Sequence, residues 1–154
     1  MSVSVKPRSV KVLYKIIPAR KASIPLYLTR VSAGTFSPAD DYVEKRLDLN
    51  EHLIKHPAAT FAFRVTGDSM VGAGIFSGDL LIVDRAIKPT SGSVVVAKLG
   101  GDLVCKRLKL VKGKVYLAPE NPAYQTIEIT DDMDGFEICG VLLHNIHSHS
   151  KVTA

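Results

Sequence analysis

"SVVVAKLGGDLVCKRLKL", residues 93–110, decides how this chain folds. Two apolar, β-branched runs flank Gly100-Gly101, and a Gly-Gly pair between such runs is the signature of a two-residue β-hairpin. Residues 93–99 and 102–110 are therefore expected to pair. The second run carries an anomaly. Alternation places Val104, Lys106, Leu108 and Leu110 on one face, and Leu103, Cys105, Arg107 and Lys109 on the other. If the first face packs inward, Lys106 is its only charge. An ammonium buried without a partner is costly, and loss of its proton is the usual relief. A neutral amine is a base, able to activate a serine hydroxyl. The ordinary alternative is a buried stem whose charged end reaches water.

Outward from the hairpin, the chain continues to read as strands. "ATFAFRV" (59–65), "DLLIVD" (79–84), "KVYLA" (114–118), "QTIEIT" (125–130) and "FEICGVLLHNIH" (136–147) are short, apolar or β-branched, and bounded by turn residues. "DLNEHLIKHP" predicts one short helix, with Asn50 as N-cap and Pro57 as its stop. Upstream, "LTRVSAGTFSPADD" has the composition of an exposed linker. The expected class is mainly β: a compact domain of about seven short strands and one short helix, preceded by a basic N-terminal arm. Neither an internal repeat nor a helix pair of helix-turn-helix type is evident.

Charge is distributed unevenly. Residues 1–36 hold seven of the 20 basic side chains and none of the 15 acidic ones, which leaves a mildly acidic remainder of about −2. Such an arm reads as a weak, non-specific contact for nucleic acid or another acidic surface, as a solvated arm, or as a transit peptide. A 46% hydrophobic and 23% charged composition fits a soluble globular chain. No run approaches the roughly 18 apolar residues of a membrane span, so no membrane association is expected. Cys105 and Cys139 lie in apolar runs and read as buried thiols of a reducing cytoplasm. His144, His147 and His149 lack an accompanying Cys or acidic ligand and read as a solvated tail, so no metal is expected. Asp79 and Asp84 bracket a strand as turn formers.

Ser69 lies in "RVTGDSMVGAGIFSGDLLIVDR", residues 64–85. Gly, Asp and Ser are ordinary turn residues, so by itself Ser69 is as well read as punctuation as it is as a nucleophile. A Ser-His-Asp triad is open in principle, but none of the five histidines is singled out.

Taken together, "GDSM", "SGDLLIVDR", "VCKRLKL", "APENPAY" and "GVLLH", in this order from about Ala33 to His147, resemble the UmuD family. These are self-cleaving Ser-Lys peptidases related to the LexA-type repressors. The resemblance implies a LexA/signal-peptidase-like β domain with Ser69 as nucleophile and Lys106 as general base. It also implies an oxyanion hole from the backbone N–H groups of Asp68 and Ser69, and self-cleavage at Ala33-Gly34. The chain then divides into an arm removed by cleavage (1–33), a linker (34–48) and a peptidase domain (49–150). No cofactor is implied. The implied role is in the DNA-damage (SOS) response: a RecA–single-stranded-DNA filament stimulates cleavage, and the product, as a homodimer, serves a UmuC-type error-prone translesion polymerase in the cytoplasm. The alternative is a LexA-type transcriptional repressor inactivated by its own protease, for which residues 1–33 offer no DNA-reading helix pair. A signal-peptidase-like enzyme acting on other chains would call for a membrane anchor. One feature departs from the family: the arm is longer and more basic than the resemblance leads one to expect.

Overall fold

In the computed structural model, residues 10–15, 23–27 and 43–150 are described. They form ten strands and one α-helix: β1 (Val10–Lys15), β2 (Ser23–Tyr27), β3 (Val43–Asp48), α1 (Leu49–Leu53), β4 (Thr60–Val65), β5 (Leu80–Asp84), β6 (Val94–Leu99), β7 (Asp102–Val111), β8 (Lys114–Ala118), β9 (Ile127–Ile129) and β10 (Glu137–Ile146). All seven strands expected between residues 59 and 147 are present, as β4 to β10. They lie in one antiparallel sheet of order β1-β4-β5-β10-β6-β7-β8-β9, to which β1 adds an eighth strand at one edge. β2 and β3 pair separately and, with α1, belong to a second unit. Val10, Val12 and Tyr14 alternate with Lys11, Leu13 and Lys15, a strand period within the segment expected only as a basic arm.

The central hairpin forms as its residues dictate. Gly100 and Gly101 both have positive φ (57° and 87°), as a type I′ turn demands, and Leu99 pairs with Asp102 directly across it. Lys112 and Gly113 repeat the device between β7 and β8, Lys112 at φ 49°. In α1 the N-cap is Asp48, whose carboxylate accepts the Asn50 N–H at 3.0 Å, rather than Asn50 itself. The helix ends before Ile54, and Pro57 opens a short 3₁₀ turn, Pro57–Ala59, where its missing N–H costs nothing.

β6 explains why "VVVA" is a continuous apolar run rather than an alternating one. Val96 joins one core with Phe63, Val65, Met70, Ile75, Leu81, Val83 and Cys105. Val95 and Ala97 join another with Val104, Leu108, Leu117 and Val141. Both faces of the sheet are buried at this point, the situation in which strands lose their polar alternation. β7 therefore has two apolar faces along 104–108, with Cys105 buried on one and Val104 and Leu108 on the other. Past Leu108 the strand leaves the core, and Leu110, on the face that alternation shares with Val104 and Leu108, is 47% exposed.

β10 spans the middle of the sheet, pairing with β6 through its first half and β5 through its second. Its ladder is irregular around Gly140, where a Cβ would sit 2.7 Å from Val83 Cγ1 and 3.0 Å from the Asp84 carbonyl oxygen. A methyl group there must push two strands apart. Gly140→Ala is expected to destabilise the fold by about 1–3 kcal/mol, the usual range for overpacking. Urea unfolding checks this, and a midpoint equal to that of the parent would contradict the close approach.

Candidate active site

Ser69 sits in the loop between β4 and β5. The loop is closed at its base by two backbone bonds, Val65 N–H to Asp79 O (3.0 Å) and Gly78 N–H to Val65 O (2.7 Å). Gly67 turns the chain with φ 94°, and a 3₁₀ turn at Val71–Ala73 follows the serine. Ser69 is thereby presented from a hydrogen-bonded turn and is only 9% exposed. Opposite it stands Lys106, 7% exposed, on β7. Its Nζ donates to Ser69 Oγ at 2.8 Å and to the Cys105 carbonyl at 3.1 Å. The two residues are 37 positions apart, and the turn and the central hairpin bring them together.

The electrostatics favour a neutral amine. Burial pushes the Lys106 pKa below its ordinary 10.5; a charged Cys105 would oppose this. That thiol is itself desolvated and pushed up to about 12, so near neutral pH it is uncharged and supplies no counter-ion. Among the described residues Lys106 makes no ion pair. Among the same residues the backbone N–H groups of Asp68 and Ser69 meet no acceptor, beside a hydroxyl held by a base. Serine, amine and free N–H groups so grouped can carry out acyl transfer.

Several contributors carried no role in the sequence reading. The segment after β8, "PENPAY", grips the serine turn: Glu120 N–H donates to Ser69 O (2.8 Å), Gly72 N–H to Glu120 O (2.8 Å) and Asn121 Nδ2 to Asp68 O (2.9 Å). Tyr124 Oη donates to the Asp68 carboxylate, which raises the phenol pKa. Gly72 has to be glycine, because a Cβ would lie 2.5 Å from the Glu120 carbonyl oxygen. Arg107, next to Lys106, pairs with the Glu120 carboxylate and donates to Gly92 O at 2.7 Å.

Asp79 and Asp84 are more than turn formers, for both are buried. Asp84 accepts the Ala86 N–H at 2.8 Å and bonds His56 Nδ1 at 2.6 Å. Asp79 bonds the Phe76 N–H and Asn145 Nδ2, each at 2.9 Å, and His147 Nδ1. Burial would raise its pKa, but the Phe76, His147 and Asn145 bonds together outweigh this and hold its carboxyl below the usual range. His147 also packs on Phe76 and His149, with ring centroids 5.0 and 4.9 Å away. The end of β10 is thus anchored to the loop and is not merely a solvated tail. Among the described residues no His, Cys, Asp or Glu group could hold a metal ion, and no helix is long and apolar enough to cross a membrane. The pair Ala33-Gly34 lies outside the described residues.

A model of the Peptidase S24-like family matches residues 25–143. A protein named SamA from Salmonella typhimurium is 43% identical over 128 residues, which cover 83% of this chain and 90% of SamA. MucA from Escherichia coli is 40% identical over 131 residues, covering 85% and 89% of the two chains. LexA repressor 1 from Pseudomonas putida is 38% identical over 111 residues, 72% of this chain and 54% of the repressor.

The buried amine has a consequence for stability. Folding removes water from it, so the native state holds the proton less tightly than the unfolded chain does. Stability therefore rises with pH from the lowered folded-state value towards 10.5, and the full penalty applies below that window. Lys106→Met keeps the stem and deletes the charge. It is expected to raise stability near neutral pH, because it removes the charge that burial disfavours. The gain should shrink as the pH approaches 10. Thermal unfolding across pH checks this, and a destabilised methionine variant at pH 7 would contradict the uncompensated amine.

Proposed function

The chain belongs to the Peptidase S24-like family, among its UmuD-like members, and from that premise we propose that Ser69 and Lys106 form a dyad that cuts the chain itself at Ala33-Gly34. The observation that carries this reading is the 2.8 Å contact between a buried amine and a buried hydroxyl. Neutral Lys106 takes the Ser69 hydroxyl proton as Oγ attacks the Ala33 carbonyl carbon. The N–H groups of Asp68 and Ser69 receive the oxyanion. Collapse breaks the C–N bond, and Lys106-H⁺ returns its proton to the leaving amine of Gly34. Neutral Lys106 then takes a proton from water as its oxygen attacks the Ala33 ester, and returns that proton to Ser69 Oγ as the ester C–O bond breaks. Small side chains at 33 and 34 suit a bond that must approach a turn closely.

The protein acts in the DNA-damage (SOS) response. Cleavage is stimulated by a RecA–single-stranded-DNA filament, and the product is a homodimeric accessory subunit of a UmuC-type translesion polymerase in the cytoplasm. Loss of residues 1–33 takes all seven arm cations and moves the formal charge from +5 to about −2. Any weak contact of the arm with DNA would therefore end at cleavage, since such binding is mostly counter-ion release. The higher identity to SamA and MucA, and the fuller coverage of them, favour this reading over a LexA-type repressor.

Because the reactive form of Lys106 is the neutral one, self-cleavage without a partner should accelerate about tenfold per pH unit and level off below the ordinary lysine pKa of 10.5. Ser69→Ala and Lys106→Ala should abolish it. Lys106→Arg should be equally inactive, because a guanidinium keeps its proton. First-order rates from pH 6 to 11 decide the matter. A rate that is flat over this range, or an active arginine variant, would sink the dyad.

Gly34→Glu places bulk and charge on the scissile bond. It should block cleavage while thermal unfolding stays within about 0.5 kcal/mol of the parent, as for most surface changes. Mass spectrometry of the incubated protein reads the outcome, and normal products would move the cleavage site elsewhere.

A further inference from the structure

We infer that Asn121 is a positioning residue for self-cleavage: its side-chain N–H, by holding the Asp68 carbonyl, fixes the direction of the Ser69 N–H that receives the oxyanion. The inference rests on the dyad reading and goes beyond it. No peptide bond among the described residues is cis, and in a trans peptide the carbonyl and the following N–H point in opposite directions. Whatever holds the Asp68 carbonyl therefore aims the Ser69 N–H. Asn121 Nδ2 does so at 2.9 Å, whereas the Val71 N–H reaches the same oxygen only at 3.4 Å, a distance at which little bonding remains. The next peptide plane is held too, because the Ser69 carbonyl accepts the Glu120 N–H at 2.8 Å. Consecutive residues 120 and 121 thus grip the peptides on both sides of the nucleophile.

The clamp is itself constrained. Asn121 Oδ1 accepts the Ala123 N–H at 3.0 Å, which orients the amide so that Nδ2 faces the serine turn. The Glu120 carboxylate is paired with Arg107, the neighbour of Lys106 on β7, so the grip on the nucleophile and the strand carrying the base are tied together. An oxyanion hole is effective because its donors are aimed before the charge develops. Donors on a surface turn lack that property unless something outside the turn holds them.

Two substitutions separate the donor from its setting. Asn121→Ala removes the whole amide without adding charge. Asn121→Asp keeps the Oδ1 acceptor for Ala123 but replaces the donor with an oxygen. The experiment is first-order self-cleavage of the full chain from pH 6 to 11, with thermal unfolding measured alongside and Ser69→Ala as the blank. Both variants should show a high-pH plateau at least about tenfold below the parent, a fraction of the loss seen when an oxyanion donor itself is removed. In the alanine variant the pH midpoint, set by Lys106, and the melting temperature should match the parent. A slowdown accompanied by a shifted midpoint or a lowered melting temperature would mark a merely structural role and overturn the inference. So would recovery of the parental rate in the aspartate variant, which would assign the effect to the turn at Ala123. If the parent cleaves and Ser69→Ala does not, an unaffected Asn121→Ala plateau sinks this inference alone. Cleavage that survives Ser69→Ala would sink the dyad, and this inference with it.

Discussion

An amine held 2.8 Å from a serine hydroxyl with no anion to balance it is the constraint around which this protein is organised. In water the arrangement would be idle, because an exposed lysine keeps its proton near neutral pH. Burial changes that. Lys106 is carried by a strand whose two faces both meet apolar cores, so its end cannot shed the desolvation penalty by reaching water. The polar atom beside it in sequence, the Cys105 thiol, is held neutral by the same burial. The lowered pKa and the cost to stability have one origin: the environment that weakens the hold of Lys106 on its proton is the one that makes it a poor residue to bury.

The contrast with the buried carboxylates is instructive. Asp79 and Asp84 are as deeply buried as Lys106 or more so, yet each has an N–H donor and a histidine, and Asp79 has Asn145 as well. Those groups are structural: they close the loop after Ser69 and the start of the sheet, and their hydrogen bonds offset their desolvation. Lys106 also makes two hydrogen bonds, to Ser69 Oγ and the Cys105 carbonyl, but among the described residues no charged partner offsets its desolvation. A buried amine without a charged partner beside a serine hydroxyl is the kind of perturbed group that marks a candidate site, and the proposed dyad is built on it. The loop bearing Ser69 is correspondingly braced from two directions, by Asn145 and His147 through Asp79 and by residues 120–124 through the serine turn itself.

Much of this was legible in the residues. Period-2 patterning and the Gly100-Gly101 turn located seven strands to within a residue or two, since both signals are local and steric. Alternation also singled out Lys106 as a charge on an apolar face. The errors were local as well. Asp48 caps the helix assigned to Asn50, because both side chains suit the role and only the backbone direction leaving β3 chooses between them. Leu110 shares the alternating face of Val104 and Leu108 yet is exposed, because alternation reports which face a residue is on, not where the core ends.

By itself, then, the sequence determined the mainly β class, the hairpin that presents Lys106, and the turn that presents Ser69, each a matter of propensities acting over a few residues. Tertiary structure alone decided the rest. It set two residues 37 positions apart within one hydrogen bond of each other, buried both faces of β7, and drew Glu120, Asn121 and Tyr124 around the serine turn. It also joined Asp79 to His147 across the sheet. The physical reason is that a pKa is set by desolvation and by the nearest charges. Those depend on which distant segments the sheet order brings together, and no local pattern contains that information.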